Sequence, residues 1–162
     1  MRHAIAVTAA LSVAGLGSLV SAQDAEPPEE LAPEAAHEFR ETHMKVYGAQ
    51  LGILGPMAQG AAPYDAAAAQ SAADRILENA TSDDWMVMWP EGSAQGEVPD
   101  SRALPVIWEQ AEDFEAKHQA LIEAATALQA AAGTDLAALQ GAIGGVGQAC
   151  GSCHETYRAP EE

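Results

Sequence analysis

The sequence predicts an all-α protein, an antiparallel four-helix bundle preceded by a cleavable signal peptide. Three observations predict the bundle. Four stretches repeat their apolar residues in alternating steps of three and four, the spacing of one helix face. The links between them are short or moderate, which favours antiparallel neighbours. Strand signals are weak throughout, and no internal repeat suggests a solenoid.

Met1-Arg2-His3, an apolar run from Ala4 to Val20 and the small-residue site Val20-Ser21-Ala22 read as a secretory signal peptide over residues 1–22. Thr8, Ser12, Gly15, Gly17 and Ser18 make the run a poor permanent span. No second apolar stretch follows, so no membrane contact is expected after cleavage. Residues 23–33 (QDAEPPEELAP) form a flexible lead-in, with Pro33 near a helix start. The 162 residues less these 22 leave 140, enough for one domain with one core, the bundle over residues 34–162.

The first helix is expected from about Glu34 to Ala58. Met44, Tyr47, Leu51, Leu54 and Ala58 form its core stripe, and Arg40 continues that stripe one turn earlier. Phe39, Val46 and Ile53 repeat every seven residues at another angle, which suggests a second contact through the first helix, a homodimer partner. Pro56 should bend or end the helix. After the turn Ala61 to Tyr64, Asp65 caps an alanine-rich second helix over residues 66–80. Residues 81–102, with Trp85, Met86, Met88, Trp89 and Pro90, are irregular and long for a loop, a hint of packing on a cofactor. The third helix is expected from about Ala103 to Ala132, with Ile107, Ala111, Phe114, His118, Leu121, Ala125 and Leu128 facing inward and Gly133 ending it. Thr134 should cap the fourth helix, where Asp135 suits the positive end. Leu136, Leu139, Ile143, Val146, Cys150, Cys153 and Tyr157 make its inward stripe.

That last stripe carries the chemistry. Cys150-Gly151-Ser152-Cys153-His154 is a C-x-x-C-H run holding both cysteines of the chain. It is the signature of covalent c-type haem attachment. On a helix the three reactive residues share one face, because positions three and four apart are neighbours. Two thiols can form thioethers to the haem vinyl groups while the imidazole reaches the iron. A zinc site would need about four ligands, and no second Cys/His cluster exists. A thioredoxin-like pair would sit by a strand, and none is signalled. Export agrees with haem attachment, which takes place on the outer side of the bacterial inner membrane.

Several upstream pieces join the motif: Phe39-Arg40-x-x-x-Met44, Gly60-Ala61-Ala62-Pro63-Tyr64-Asp65, the stretch Trp85 to Gly92, Ile107-Trp108 with Phe114, and Val146-Gly147 before Cys150 with Tyr157-Arg158 after His154. Together, over about residues 34–158, they resemble cytochrome c′, the class II c-type cytochromes. The resemblance implies one covalently attached haem c, bound through Cys150 and Cys153, with His154 as axial iron ligand. It implies Arg40 near the haem propionates, Arg158 beside the proximal face and Met44 at the distal position; Trp85 and Tyr157 are added as residues packing on the haem. It further implies a five-coordinate iron that binds nitric oxide and carbon monoxide, with electron transfer as a second capacity. In some relatives a methionine at the Met44 position is the sixth ligand, which would make a low-spin soluble electron carrier. Both readings of Met44 stay open here. His37, His43 and His118 receive no ligand role.

Seven basic and 24 acidic residues give a net charge of −17; without Arg2 the exported chain carries −18. Such charge argues against nucleic acid and anionic membranes, and a redox partner protein would present a basic face. No nucleophile with an adjacent base appears, so no enzyme is expected. The expected location is the bacterial periplasm. Replacing His154 by alanine separates the classes: a cytochrome loses its proximal ligand and its normal visible spectrum, whereas a helical thiol protein keeps its helicity and thiol chemistry unchanged.

Overall fold

Pro33 opens the first helix. In the computed structural model, which describes residues 31–161, α1 runs Pro33–Ala58. A proline in the first turn loses no helical hydrogen bond. The expected leader over residues 1–22 lies outside the described residues, as does all but the end of the lead-in. Pro56 sits inside α1, two residues before its end. Its carbonyl accepts from the N–H groups of Ala61 and Ala62 at 2.8 and 3.0 Å, which closes the turn with Gly60 at φ +74°.

Helix α2 runs Ala66–Ala80, and the Asp65 side chain caps it by accepting from the Ala68 N–H at 2.9 Å. Its buried face is small: Ala69, Ala72, Ala73, Ile76 and Ala80. A tight 3₁₀ turn, Asp83–Met88, begins the stretch expected to be irregular.

The third expected helix is two. Helix α3 is the single turn Val106–Glu109, and α4 runs Ala111–Ala131 after a break at Gln110 (φ −125°, ψ 45°). Residues 103–105 do not join the helix. Leu104 precedes Pro105, which disfavours helical backbone there. Ala103 instead forms a bridge with Arg158, and the Leu104 N–H donates to the Tyr157 carbonyl at 3.0 Å. Ala111, expected to face inward, is exposed directly after the break, whereas Ile107, Phe114, His118, Leu121, Ala125 and Leu128 are buried as expected. Gly133 follows the end of α4 without a left-handed backbone. Its reason is room: a Cβ there would stand 2.5 Å from Gln70 Oε1, on a side chain that reaches from α2 to the Gln129 carbonyl.

Helix α5 runs Leu136–Tyr157 and is capped by Asp135, not Thr134. Asp135 immediately precedes the first helical residue, which brings its carboxylate to the Ala138 N–H at 2.8 Å. Around the bundle α1 packs on α2, α2 on α4, α4 on α5 and α5 on α1.

The bundle has two apolar centres. Leu54, Ile76, Leu128, Leu139 and Val146, all fully buried, form the main core. Trp85, Met88, Ile107, Phe114 and Tyr157 form a second, aromatic cluster. Met44 packs against both. On the second stripe of α1, Phe39 and Val46 are half-buried and Ile53 is 42% exposed. None of the described helices is long and apolar enough to cross a membrane.

Truncating Ile76 to alanine should cost about 2–5 kcal/mol of unfolding free energy, read by denaturant titration. Ile53→Ala should stay within about 0.5 kcal/mol of the parent.

Candidate functional site

The last three turns of α5 bring Cys150, Cys153 and His154 to the inner side of the bundle, each half-buried and both thiols free. Beside them lies a cavity of about 520 Å³, within the range of small-molecule and cofactor sites. Helix α1 contributes His37, Arg40, Met44 and Gly48 to its wall. Trp85 and Trp89 come from the 3₁₀ segment and the residue after it, and Phe114 from α4. Helix α5 contributes Cys153, His154, Tyr157 and Arg158. Of the residues singled out by sequence, only Cys150 is absent from the wall; it packs against the main core.

Burial lowers the His154 pKa, and the positive charges of Arg158 and Arg102 lower it further. Both effects favour the neutral ring, the form that offers a lone pair to a metal. Burial pushes the Cys153 thiol up to about 11 and the Cys150 thiol in the same direction. Tyr157 is buried and its hydroxyl donates to Asp113 Oδ2 at 2.6 Å. Burial first, then that carboxylate, push its pKa up to about 12.

Arg40 is 5% exposed. Its Nη1 donates to the Met88 carbonyl and Ser93 Oγ at 2.8 and 2.7 Å, and its Nη2 to the Ser93 carbonyl at 2.8 Å and Ser101 Oγ at 3.4 Å. The guanidinium also lies 4.9 Å from the Trp89 ring centre. Every one of these acceptors is neutral. Burial pulls the Arg40 pKa down to about 10. A buried cation without a carboxylate partner is costly in a protein interior. On a cavity wall it suits an occupant that brings its own negative charge. The Trp89 indole N–H is likewise buried without a partner on the same wall. Apolar and aromatic walls, an unpaired cation, two thiols and a neutral imidazole fit a haem with its two carboxylates.

His37 stands on the cavity wall, whereas His43 and His118 are engaged elsewhere. His43 Nε2 pairs with the Tyr47 hydroxyl at 3.2 Å, and His118 Nε2 with the Ala80 carbonyl at 3.0 Å. The His118 ring stacks on Trp85 with centroids 3.8 Å apart and planes at 9°. Sequence reasoning missed Ser93, Ser101 and Asp113, whose partners are 44 to 61 residues away in the chain. No local pattern signals such pairs.

Comparison with known proteins agrees with this geometry. The sequence model of the family described as Cytochrome C′ matches residues 35–158. The chain is 45% identical over 160 residues to cytochrome c-554 of Cereibacter sphaeroides, covering 98% of each chain. Among solved structures, a cytochrome c′ from Rhodobacter sphaeroides superposes with a TM-score of 0.77 at 34% identity, over 81% of this chain and all of that one. The nitric oxide complex of a mutant cytochrome c prime from Alcaligenes xylosoxidans superposes at 0.71 with 32% identity, over 82% of this chain and all of that one.

Arg40→Met keeps much of the apolar stem but strands the Met88 carbonyl, while the Ser93 carbonyl keeps the Ser101 hydroxyl as a donor at 2.8 Å. It should cost at least about 2 kcal/mol, read as a lower denaturant midpoint. A second expectation concerns acid. Burial, the largest cause, lowers the pKa of both His43 and His118 in the folded chain. The unfolded chain therefore binds more protons as pH falls through about 6.5. The stability held by the neutral rings is full above about 6.5 and is lost as pH falls below it toward the folded pKa values. His118→Gln should remove part of the decline in urea midpoint between about pH 7.5 and pH 5.5.

Proposed function

The chain belongs to the cytochrome c′ family, and on that premise we propose that it is an exported, periplasmic haem protein that binds small neutral gases, nitric oxide and carbon monoxide. Haem c, covalently attached, is the cofactor of this family. When bound it would supply an iron that His154 could ligate and that could take up a diatomic gas. One observation carries the reading: His154 from α5 and Met44 from α1 line the same cavity, among apolar and aromatic side chains.

In this reading Cys150 and Cys153 anchor the ring through thioethers, and His154 is the axial ligand on the proximal side. Its neutral imidazole is ready for that role without losing a proton. Met44, Trp85 and Phe114 exclude water and anions from the distal side, whereas a neutral diatomic pays little to enter an apolar pocket. Arg40 and Arg158 offset the carboxylates of the ring, with Arg158 on the proximal side. Arg40 also holds residues 88–101 in place, and so keeps the wall formed by Trp89 closed. The relative crystallised with nitric oxide supports this choice of gas.

A second reading is favoured by Met44 itself. Its thioether lies on the wall of the cavity that His154 lines, half-buried and packed against both apolar clusters. As a sixth ligand it would raise the reduction potential and make the protein a soluble electron carrier. For either role the net charge of −18 on the exported chain suits a partner with a basic face. The half-exposed stripe of Phe39, Val46 and Ile53 suits a second copy of the chain, giving a homodimer through α1. We do not assign an enzymatic reaction to the site.

The visible spectrum of the reduced protein, taken before and after carbon monoxide, tests the choice. Broad high-spin bands that shift with the gas are expected, and Met44→Ala should then speed its binding. Sharp bands that ignore the gas, turning high-spin in Met44→Ala, would make Met44 the sixth ligand. Cys150→Ala or Cys153→Ala should each leave one thioether and a much lower yield of holoprotein.

A further inference from the structure

A histidine that binds a metal almost always donates its other ring N–H to a partner that fixes the ring. His154 has no such partner among the described residues; the side-chain bonds of this part of α5 belong to Ser152, Thr156 and Tyr157. The direction of its imidazole must then come from the helical turn that carries it.

That turn ends at Tyr157, three residues beyond His154 and four beyond Cys153, so it lies over the same face of α5. Tyr157 is tied down from several sides. Its hydroxyl crosses to α4 and donates to Asp113 at 2.6 Å, a short bond to a carboxylate. Its ring meets Phe114 edge-to-face, with centroids 5.0 Å apart and planes at 81°. Its carbonyl accepts from Leu104, and two residues on the Ala159 N–H donates to the Arg102 carbonyl at 2.9 Å. Asp113 is well placed to serve. It sits in the first turn of α4, where a carboxylate is favoured, and the residue before that helix supplies no side-chain cap. No lysine or arginine pairs with it among the described residues. Tyr157 is its one side-chain hydrogen-bond partner there.

We propose that the Asp113–Tyr157 hydrogen bond sets the orientation of His154 toward the cavity, so that Asp113 is a positioning residue for the axial ligand and acts through Tyr157. The proposal rests on the haem reading of the site. The backbone ties at residues 157–159 fix where the end of α5 lies. The side-chain bond fixes how the last turn is rotated about its axis. Without it the ring of residue 157 can shift against Phe114, and the turn carrying His154 can shift with it.

The test uses the oxidised holoprotein and its Tyr157→Phe, Asp113→Ala and Asp113→Asn variants. Proton NMR would follow the hyperfine-shifted Cβ proton resonances of His154, which depend on how the imidazole is set on the iron in either spin state. Tyr157→Phe and Asp113→Ala should move those resonances clear of the parent positions. Asp113→Asn keeps an acceptor oxygen and should restore them nearly to the parent values. Far-ultraviolet circular dichroism confirms that each variant is folded, and the phenylalanine variant keeps the ring and its packing. Parent resonances in both Tyr157→Phe and Asp113→Ala, even with a lower melting temperature, would overturn the proposal and leave the bond a purely stabilising one. A parent protein with no hyperfine-shifted histidine resonance at all would sink the haem reading itself, and the proposal with it.

Discussion

The buried guanidinium of Arg40 is the constraint on which the open end of this bundle depends. One side chain from α1 gathers the carbonyls of Met88 and Ser93 and the hydroxyls of Ser93 and Ser101. Residues 89–105 hold no regular element longer than a turn, so they cannot satisfy their own backbone groups as a helix would. Arg40 does part of that for them and seats Trp89 under its charge. The result is a wall that stands beside α5 without filling the space between. At the opposite end, Leu54, Ile76, Leu128 and Leu139 close the bundle by ordinary apolar packing. The contrast between a filled end and a walled, hollow end is what makes room for a cofactor.

The hollow is matched to its occupant in charge as well as in shape. The chain is strongly acidic, yet Arg40, Lys45, Arg102 and Arg158 all line this one cavity. Arg102 is spent on the Ala159 carbonyl and Glu161, and Lys45 on Glu41. Of these four, Arg40 is the one that is buried and has no anionic partner among the described residues. A ring with two carboxylates would supply the anion that the cavity lacks. Attachment through Cys150 and Cys153, as proposed, would also fix the end of α5, which is held by the ties at Tyr157 and Ala159.

Much of this was legible in the sequence because the fold is built from local periodicity. The bounds of α2 and the extent of α1 follow from apolar spacing, from Pro33 and from the capping Asp65, while the start of α5 was read one residue early, with Thr134 as the cap in place of Asp135. The errors fell where a distant partner overrode local preference. Ala103 and Leu104 look helical on their own, but Tyr157 and Arg158 near the end of the chain capture their backbone, and the helix starts later. Gly133 reads as a helix stop, and what it provides is clearance for Gln70. Of the site, the face shared by Cys153 and His154 was visible from spacing alone. The positions of Arg40, Met44 and Trp85 on the cavity wall rested on resemblance. Ser93, Ser101 and Asp113 were invisible, because each meets its partner across 44 or more residues.

The central claim is that Met44 leaves one side of the iron open. Electron paramagnetic resonance of the oxidised protein at neutral pH, without added ligand, tests it most directly. The account predicts a signal dominated by high-spin ferric iron, as an iron with one strong axial ligand gives. A purely low-spin signal would contradict it, and would mean that a second protein group, Met44 first among them, occupies the position reserved here for the gas.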